Sequence, residues 1–92
     1  MIVTSDGNSD KGISPYEENK ENYNKIPKNI KKVLGGRKGV DHGDMLVYHD
    51  PYMTAWFCYI LLNDNLAGKA FSGNDAEFLK NDNWEKCEIN NL

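Results

Sequence analysis

Thr54-Ala-Trp-Phe-Cys-Tyr-Ile-Leu-Leu62 is the most apolar stretch of the chain, nine residues that carry no charge and are mostly aromatic or branched. Read with the two-residue period of a strand, the stretch is apolar on both faces, which is typical of a central strand covered on both sides. A short buried helix also fits the run, but its aromatic and β-branched content and the turn residues at both ends favour a strand. We therefore predict a central strand over residues 53–62.

Two further strands are predicted beside the central one. Residues 44–48 come before it, after which a turn holds Pro51, a residue with no amide hydrogen to give to a central ladder. Asn63-Asp-Asn65 follows as a hairpin turn, since Asn and Asp tolerate positive φ, and residues 66–71 return as the next strand. The remaining elements of this half are a short helix over 75–80 and a last strand over 84–89.

The N-terminal half predicts two helices. Ser14-Pro-Tyr-Glu17 has the residues of a capping box with Ser14 as the N-cap, so a helix is expected from there to about residue 24. Pro27 interrupts it, because proline disfavours helical geometry in the residue before it. A second helix is predicted over 27–34, where apolar residues recur every three to four positions and Gly35-Gly36 follows as a terminator.

These elements predict a single domain over residues 1–92, in which 1–12 form a mobile arm or an edge strand. The expected fold class is α+β, an antiparallel sheet of about four strands with two N-terminal helices and one short helix before the last strand. Cys58 and Cys87 both fall in predicted strands, and so few cysteines indicate reduced core thiols, with a disulfide between them as the alternative.

The net charge of −3 hides a pattern along the chain. Residues 1–24 hold five acidic and two basic residues, residues 25–40 hold six basic and no acidic ones, and residues 41–92 hold nine acidic and three basic ones. Such segregation concerns surface fields and partners rather than fold. The acidic and basic segments are therefore separate candidate binding surfaces.

The acidic residues form the first candidate site. Glu17, Glu18 and Glu21 stand three or four residues apart on the first predicted helix, where like charges repel each other and cost stability. If several carboxylates share a face, and especially if a dimer doubles them, the surface would imitate rows of DNA phosphates; the alternative is an ordinary acidic surface. The candidate phosphate surrogates are Glu17, Glu18, Glu21, Asp50, Asp64, Asp75, Glu77, Asp82, Glu85 and Glu88.

The basic segment forms the alternative site. A lysine-faced helix followed by a Gly-Arg-Lys loop would contact the phosphates of a nucleic acid. Against this, the sequence pI is about 5.2, and no exposed aromatic residues interleave with the charges to stack bases. The residues of this alternative are Lys28, Lys31, Lys32, Arg37 and Lys38.

The sequence favours neither a catalytic site nor a metal site. His42 and His49 lie near several aspartates, but their spacing matches no metal signature. Cys58 would need His49 as its base, yet it lies within the most apolar run, where a thiol is usually inert packing. We therefore expect no enzyme activity, no metal and no cofactor.

The whole chain resembles the small anti-restriction proteins of T-even bacteriophages, which are DNA mimics. The resemblance covers all 92 residues. It is carried by the Met-Ile-Val-Thr-Ser-Asp start, the Tyr-His-Asp-Pro-Tyr-Met-Thr-Ala-Trp-Phe centre and the Trp-Glu-Lys-Cys-Glu-Ile-Asn-Asn-Leu end.

The resemblance implies an early phage protein that acts in the host cytoplasm as a homodimer. Its partner would be the methylcytosine-dependent restriction nuclease McrBC, whose DNA-binding subunit it would occupy, with the nucleoid protein H-NS as a second target. The resemblance implies no direct binding of DNA. No membrane association is expected either, because no apolar run approaches the roughly 20 residues needed to span a bilayer.

The six cations of residues 25–40 depart from what a full-surface DNA mimic would carry. The mimic hypothesis requires that they lie away from the acidic surface or pair with Glu17, Glu18 and Glu21. A third hypothesis is an immunity or antitoxin-type inhibitor, whose carboxylates would cover the active site of another basic protein.

Overall fold

The computed structural model describes residues 1–90 and has an α+β fold built on a three-stranded mixed sheet. The strands are β1 (Ile2–Ser5), β2 (Lys32–Arg37) and β3 (Trp84–Asn90), in the order β1-β2-β3. β2 pairs in parallel with β1 and antiparallel with β3. The α+β class is thus as predicted, while the sheet has three strands rather than about four and is mixed rather than antiparallel.

The centre of the sheet is β2, within a segment that the sequence predicted to be partly helical. Val33 and Leu34 are fully buried, because both faces of a central strand are covered. Gly35 admits the ring of Phe78, since a Cβ at this position would lie 2.4 Å from Phe78 Cζ. The predicted helix over 27–34 is therefore wrong: its apolar residues serve a two-faced strand, and the glycines provide room rather than a helix end.

Two helices connect the parallel strands β1 and β2, which cannot be joined by a tight turn. They are α1 (Asn8–Ile13) and α2 (Tyr16–Lys25). α2 confirms the first predicted helix, although its N-cap is Pro15 and no side chain caps it. The Ser14 hydroxyl instead accepts a hydrogen bond from Asn19 Nδ2 at 2.7 Å.

The apolar stretch that was predicted as the central strand is helix α4 (Asp50–Leu62), preceded by the short helix α3 (Met45–Tyr48). The predicted strands over 44–48 and 53–62 are therefore wrong. A helix that is apolar all round has no polar face to reveal its period, so the run resembles a two-faced strand. Asn63 does have a positive φ of 54°, but it ends α4 rather than turning a hairpin.

Two short helices follow, and the first of them takes the place of the predicted hairpin and of the return strand over 66–71. α5 (Asn65–Gly68) begins where the Asp64 carboxylate accepts hydrogen bonds from the amides of Leu66 and Ala67. Phe71, in the turn after it, is fully buried. α6 (Glu77–Lys80) and β3 confirm the short helix and the last strand that the sequence predicted.

The two faces of the sheet are covered by different layers. Neighbouring residues of a strand point to opposite faces: Val33 packs into the core beneath α3–α6, while Lys32 reaches α2 and donates to the Tyr23 carbonyl at 2.8 Å. The core is a cluster mostly of aromatic side chains on the α3–α6 side. It consists of Val33, Val40, Met45, Tyr52, Trp56, Phe71, Phe78 and Trp84.

Candidate functional site

Helix α2 presents three of the predicted phosphate surrogates to solvent: Glu17, Glu18 and Glu21 are all exposed. The helix is anchored from its other side by Tyr23, which is buried. The Lys32 ammonium lies 4.3 Å from the centre of the Tyr23 ring and also donates to the carbonyl of Ile26. These anchoring contacts lie on the side of the helix opposite the exposed glutamates, which form no ion pair within residues 1–90.

Strand β3 adds two more carboxylates on the α2 side of the sheet. Glu88 is paired in register with Leu34 and forms an ion pair with Lys20 of α2. Glu85 is paired with Gly36, beside a β-bulge. We call the exposed and half-buried carboxylates of α2 and β3 together the acidic surface: Glu17, Glu18, Glu21, Glu85 and Glu88.

Burial and the charge of the acidic surface shift the pKa values of the two tyrosines of α2. Burial and, after it, the negative charge of Glu88 raise the pKa of Tyr16 and of Tyr23 above the ordinary tyrosine value. Within residues 1–90, no ion pair joins Glu17, Glu18 or Glu21 to a cation. The acidic surface thus keeps most of its charge unneutralised.

A cleft of about 360 Å³ opens beside the acidic surface, between β1, α1, the start of α2 and β3. One of its lining residues is Asp10, which is almost fully buried and accepts hydrogen bonds from the amide and hydroxyl of Ser5. Its second carboxylate oxygen pairs with Nδ1 of His42. Asp10 is not among the site residues predicted from the sequence, because no motif or spacing distinguishes it from the other acidic residues of the N-terminal segment.

The other five predicted surrogates lie outside the acidic surface. Glu77 accepts a hydrogen bond from the Tyr52 hydroxyl at 2.6 Å, and burial followed by this bond raises the pKa of Tyr52. Asp64 caps α5, and Asp75 is paired with Lys80 at 2.9 Å. Asp50 at the start of α4 and Asp82 in the turn before β3 are exposed.

The basic segment does not form one surface. Lys32 is buried under α2, whereas the ammonium of Lys31 points the other way and lies 4.7 Å from the ring centre of Tyr59 on α4. Arg37 stacks on Tyr48 at 4.9 Å and donates to the Lys38 carbonyl. Lys28 and Lys38 are exposed. The lysine-faced helix of the alternative hypothesis is therefore not formed, because these residues alternate across a strand and its flanking turns.

The histidines and cysteines are separated by the fold. Among residues 1–90, no three His, Cys, Asp or Glu side chains are grouped so that they could hold a metal ion. His42 pairs with Asp10, and His49 Nδ1 pairs with the Met45 carbonyl. Both thiols are free, and burial followed by the charge of Glu85 raises the pKa of Cys87 to about 11, so this thiol is protonated at neutral pH.

One side of α3 and α4 exposes large apolar side chains. His49 lies between the two helices; its amide donates to the Met45 carbonyl and its carbonyl accepts from the Met53 amide. The backbone of His49 is close to helical, with φ −93° and ψ −9°, so positions 11 or 14 apart lie on roughly the same side. We call this side the apolar face; its residues are 52–76 % exposed. They are Leu46, Val47, Phe57 and Leu61.

Comparison with known proteins gives no relatives. No family model matches the chain, and no curated protein or solved structure gives a significant match. In the part of the chain that the structure describes, no helix has the length and apolar character needed to cross a bilayer.

Proposed function

We propose that the protein is an acidic DNA mimic that occupies the DNA-binding surface of a host restriction endonuclease of the methylcytosine-dependent class and so protects phage DNA. The observation that carries this proposal is the acidic surface, on which Glu17, Glu18, Glu21 and Glu85 have no ion-pair partner within residues 1–90. The resemblance to phage anti-restriction proteins gives the proposal its target.

The charge density of α2 supports this reading. Glu17, Glu18 and Glu21 span about 6 Å along the axis of α2, because an α-helix rises about 1.5 Å per residue. Duplex DNA carries one negative charge per about 1.7 Å of its axis, so the two linear charge densities are of the same order. α2 also carries Lys20 and Lys25, so this density belongs to the three exposed glutamates and not to the helix as a whole. A basic DNA-binding surface would meet three closely spaced negative charges there.

The arrangement of the cations also supports a DNA mimic. Lys32 is buried and bonded to backbone carbonyls, and Lys31 contacts Tyr59 on the opposite side of the sheet from α2. Neither of them neutralises the glutamates of α2. For Lys31 and Lys32 this supports the mimic hypothesis, whereas Lys25 lies on α2 itself and Lys28 and Lys38 are exposed.

We further propose that two copies associate through the apolar face. A stable interface buries about 800 Å² on each partner, and apolar patches of more than a few hundred Å² are rare on monomers. The apolar face, with four large side chains that are 52–76 % exposed, is an apolar patch of the kind that is rare on monomers. Association would place two acidic surfaces on one particle.

Size-exclusion chromatography with light scattering tests this dimer. The Leu61→Lys variant should be a monomer at concentrations where the unchanged protein is a dimer. Thr54→Lys, also on α4 and exposed, adds the same charge in place of a small polar side chain and should weaken association less. An unchanged protein that is monomeric at high concentration contradicts the dimer proposal.

Inhibition of a methylcytosine-dependent nuclease by matched charge reversals tests the function. The double variant Glu18→Lys/Glu21→Lys should inhibit DNA cleavage at least ten-fold less well than the unchanged protein. The control, Asp75→Lys/Asp82→Lys, changes the net charge equally but lies outside the acidic surface, so it should lose much less.

Each alternative result has a definite meaning. Equal losses in the two double variants would show that only net charge matters, which contradicts a localised mimic surface. Unchanged inhibition in both would reject the electrostatic mechanism altogether. Direct, salt-sensitive binding of duplex DNA by the isolated protein would favour the nucleic-acid-binding alternative instead.

A further inference from the structure

The cleft beside the acidic surface has walls suited to a flat cation. Its lining includes Tyr16, Gly36 and the acidic residues Asp6, Glu17 and Glu85, together with two cations, Lys11 and Lys86. Asp10 also lines it, but its two oxygens are already engaged by Ser5 and His42. A volume of about 360 Å³ is at the small end of ligand pockets, which span about 300–1,000 Å³, and it leaves room for a side chain from another protein.

Two cations of the chain itself line this cleft, Lys11 and Lys86, and Lys86 contacts the aromatic ring. The Lys86 ammonium lies 4.5 Å from the centre of the Tyr16 ring, over its face. Lys86 has a φ of 53° and sits at the β-bulge of β3. Positive φ is uncommon for residues other than glycine, and here it accompanies a side chain directed onto the ring. The contact shows that the Tyr16 face accepts a cation in this setting.

We propose that the cleft binds the guanidinium of an arginine side chain from the basic protein that the acidic surface engages, with Lys86 as an internal competitor for Tyr16. This inference rests on the proposed function. Arginine stacks on aromatic rings and makes bidentate contacts with carboxylates, whereas an ammonium is a point charge. Glu17 and Glu85 would provide the carboxylates, and they would repel a phosphate or other anion.

The contact would add specificity that charge alone does not give. Exposed charge pairs contribute little and are screened by salt. An arginine seated between a ring and two carboxylates gains cation–π and hydrogen-bonding contacts that require one position and orientation. The cleft would thus fix where the partner's basic surface lies on the mimic.

Titration of the whole protein with N-acetyl-arginine amide, followed by amide chemical shifts in NMR spectra, tests the proposal. Shifts should concentrate at the cleft, at Ser5, Tyr16, Gly36 and Glu85. The matching citrulline amide has nearly the same shape without the charge, and it should bind at least five-fold more weakly. Equal binding of the two amides, or arginine shifts spread evenly over the acidic surface, would overturn the proposal.

A variant of a lining residue and a matched control test whether the arginine amide binds in the cleft. Glu85→Gln should weaken arginine binding about 3- to 10-fold, because it removes a charge-assisted contact. Glu18→Gln removes the same charge from a residue that does not line the cleft, and it should change affinity less than two-fold. Equal losses in these two variants would contradict a specific seat for the guanidinium.

The most discriminating variant is Lys86→Asn. Asparagine tolerates positive φ, so the bulge is retained while the internal cation is removed. Arginine binding should then become about 2- to 5-fold tighter, the range expected for release of an exposed cation–π contact. Weaker or unchanged binding would show that Lys86 does not compete for the ring and would overturn this part of the proposal.

The arginine titration tests the cleft independently of the proposed inhibition of a nuclease. The titration uses no partner protein, so it can succeed even if nuclease inhibition fails. A flat titration together with inhibition that depends on Glu18 and Glu21 would reject the cleft and leave the acidic surface standing.

Discussion

The two faces of the sheet differ in how they are covered: one packs against aromatic side chains, and the other against a helix with exposed carboxylates. On the α3–α6 side, aromatic rings pack edge to face: the Tyr52 ring centre lies 4.8 Å from that of Phe78 and 5.4 Å from that of Trp84. On the α2 side, the main buried aromatic residue is Tyr23, and polar contacts such as Lys32 to the Tyr23 carbonyl hold the helix. Stability is thus concentrated on one side and exposed charge on the other.

The difference explains how so small a chain can carry unpaired carboxylates. A domain of this size has a limited core, and its net stability is expected to be only about 5–15 kcal/mol. Like-charge pairs on an exposed helix cost only about 0.2–0.5 kcal/mol each, so burial in the aromatic layer can offset the repulsion between the glutamates of α2. Changes on the two sides should therefore differ sharply in their effect on the free energy of unfolding.

The largest effect is expected at Phe78, which is fully buried and contacts Tyr52, Phe71 and Trp84. Phe78→Ala should lower the free energy of unfolding by about 3–5 kcal/mol, through lost burial and the cavity left behind. Urea denaturation followed by tryptophan fluorescence measures the loss. Glu21→Ala on α2 is the comparison and should change stability by less than about 0.5 kcal/mol; similar losses would refute the division between the two sides.

The next effect is expected at Gly35, where β2 meets the aromatic layer. A Cβ there would lie 2.4 Å from Phe78 Cζ, a buried ring with little room to move. Gly35→Ala should therefore destabilise by about 1–3 kcal/mol, the usual cost of overpacking. Gly12→Ala, with no atom within 4 Å of the new Cβ, should be neutral or stabilising in the same denaturation series. Tolerance of Gly35→Ala would contradict the close packing at this strand.

Alkaline pH should lower the free energy of unfolding through two groups on the α3–α6 side of the sheet, Cys87 and Tyr52. Burial, and then the charge of Glu85, raise the pKa of Cys87 from 9.0 to about 11, and burial also raises the pKa of Tyr52. Between pH 9 and 11 the folded state then binds more protons than the unfolded state, so the free energy of unfolding falls as pH rises. Denaturation curves from pH 8 to 11 should show this decline, and Cys87→Ala should make it shallower. A free energy of unfolding that rises with pH over this range would contradict the raised pKa values of Cys87 and Tyr52 in the folded state.

The smallest effect is expected for the ion pair that crosses the α2 side. Lys20 and Glu88 are both about one-third exposed, with side-chain exposures of 31 % and 39 %. Glu88→Gln should therefore cost less than about 1 kcal/mol, as for other solvent-screened pairs. Thermal unfolding at low and high salt measures this, and the difference between the variant and the unchanged protein should shrink at high salt. A loss comparable to that of Phe78→Ala would mean that α2 is held by charge.

The sequence predicts the elements whose signals are local. β3, α2 and α6 match predicted segments because turn residues bound them and their patterns are short and clear. α4 was missed because apolar residues on every side hide its period, although Asp50-Pro51 at its start is a helix signal. β2 was missed because its glycines resemble a helix end, whereas the ring of Phe78, more than forty residues away in the chain, is what requires Gly35.

The candidate site was predicted in composition but not in arrangement. The ten carboxylates could be named from the sequence, yet only the register of β3 against β2 and the Lys20 contact bring Glu85 and Glu88 to the α2 side. Likewise, alternation across a strand separates Lys31 from Lys32. Such sidedness depends on long-range pairing, which no short motif encodes.

The most direct test of the central claim is a binding assay of the unchanged protein against duplex DNA and against a methylcytosine-dependent nuclease, each at two salt concentrations. We expect no binding to DNA, and binding to the nuclease that weakens as salt rises, because a surface of unpaired carboxylates acts through charge. Binding to DNA itself, or nuclease binding that does not respond to salt, would contradict the claim that the acidic surface acts as a substitute for DNA phosphates.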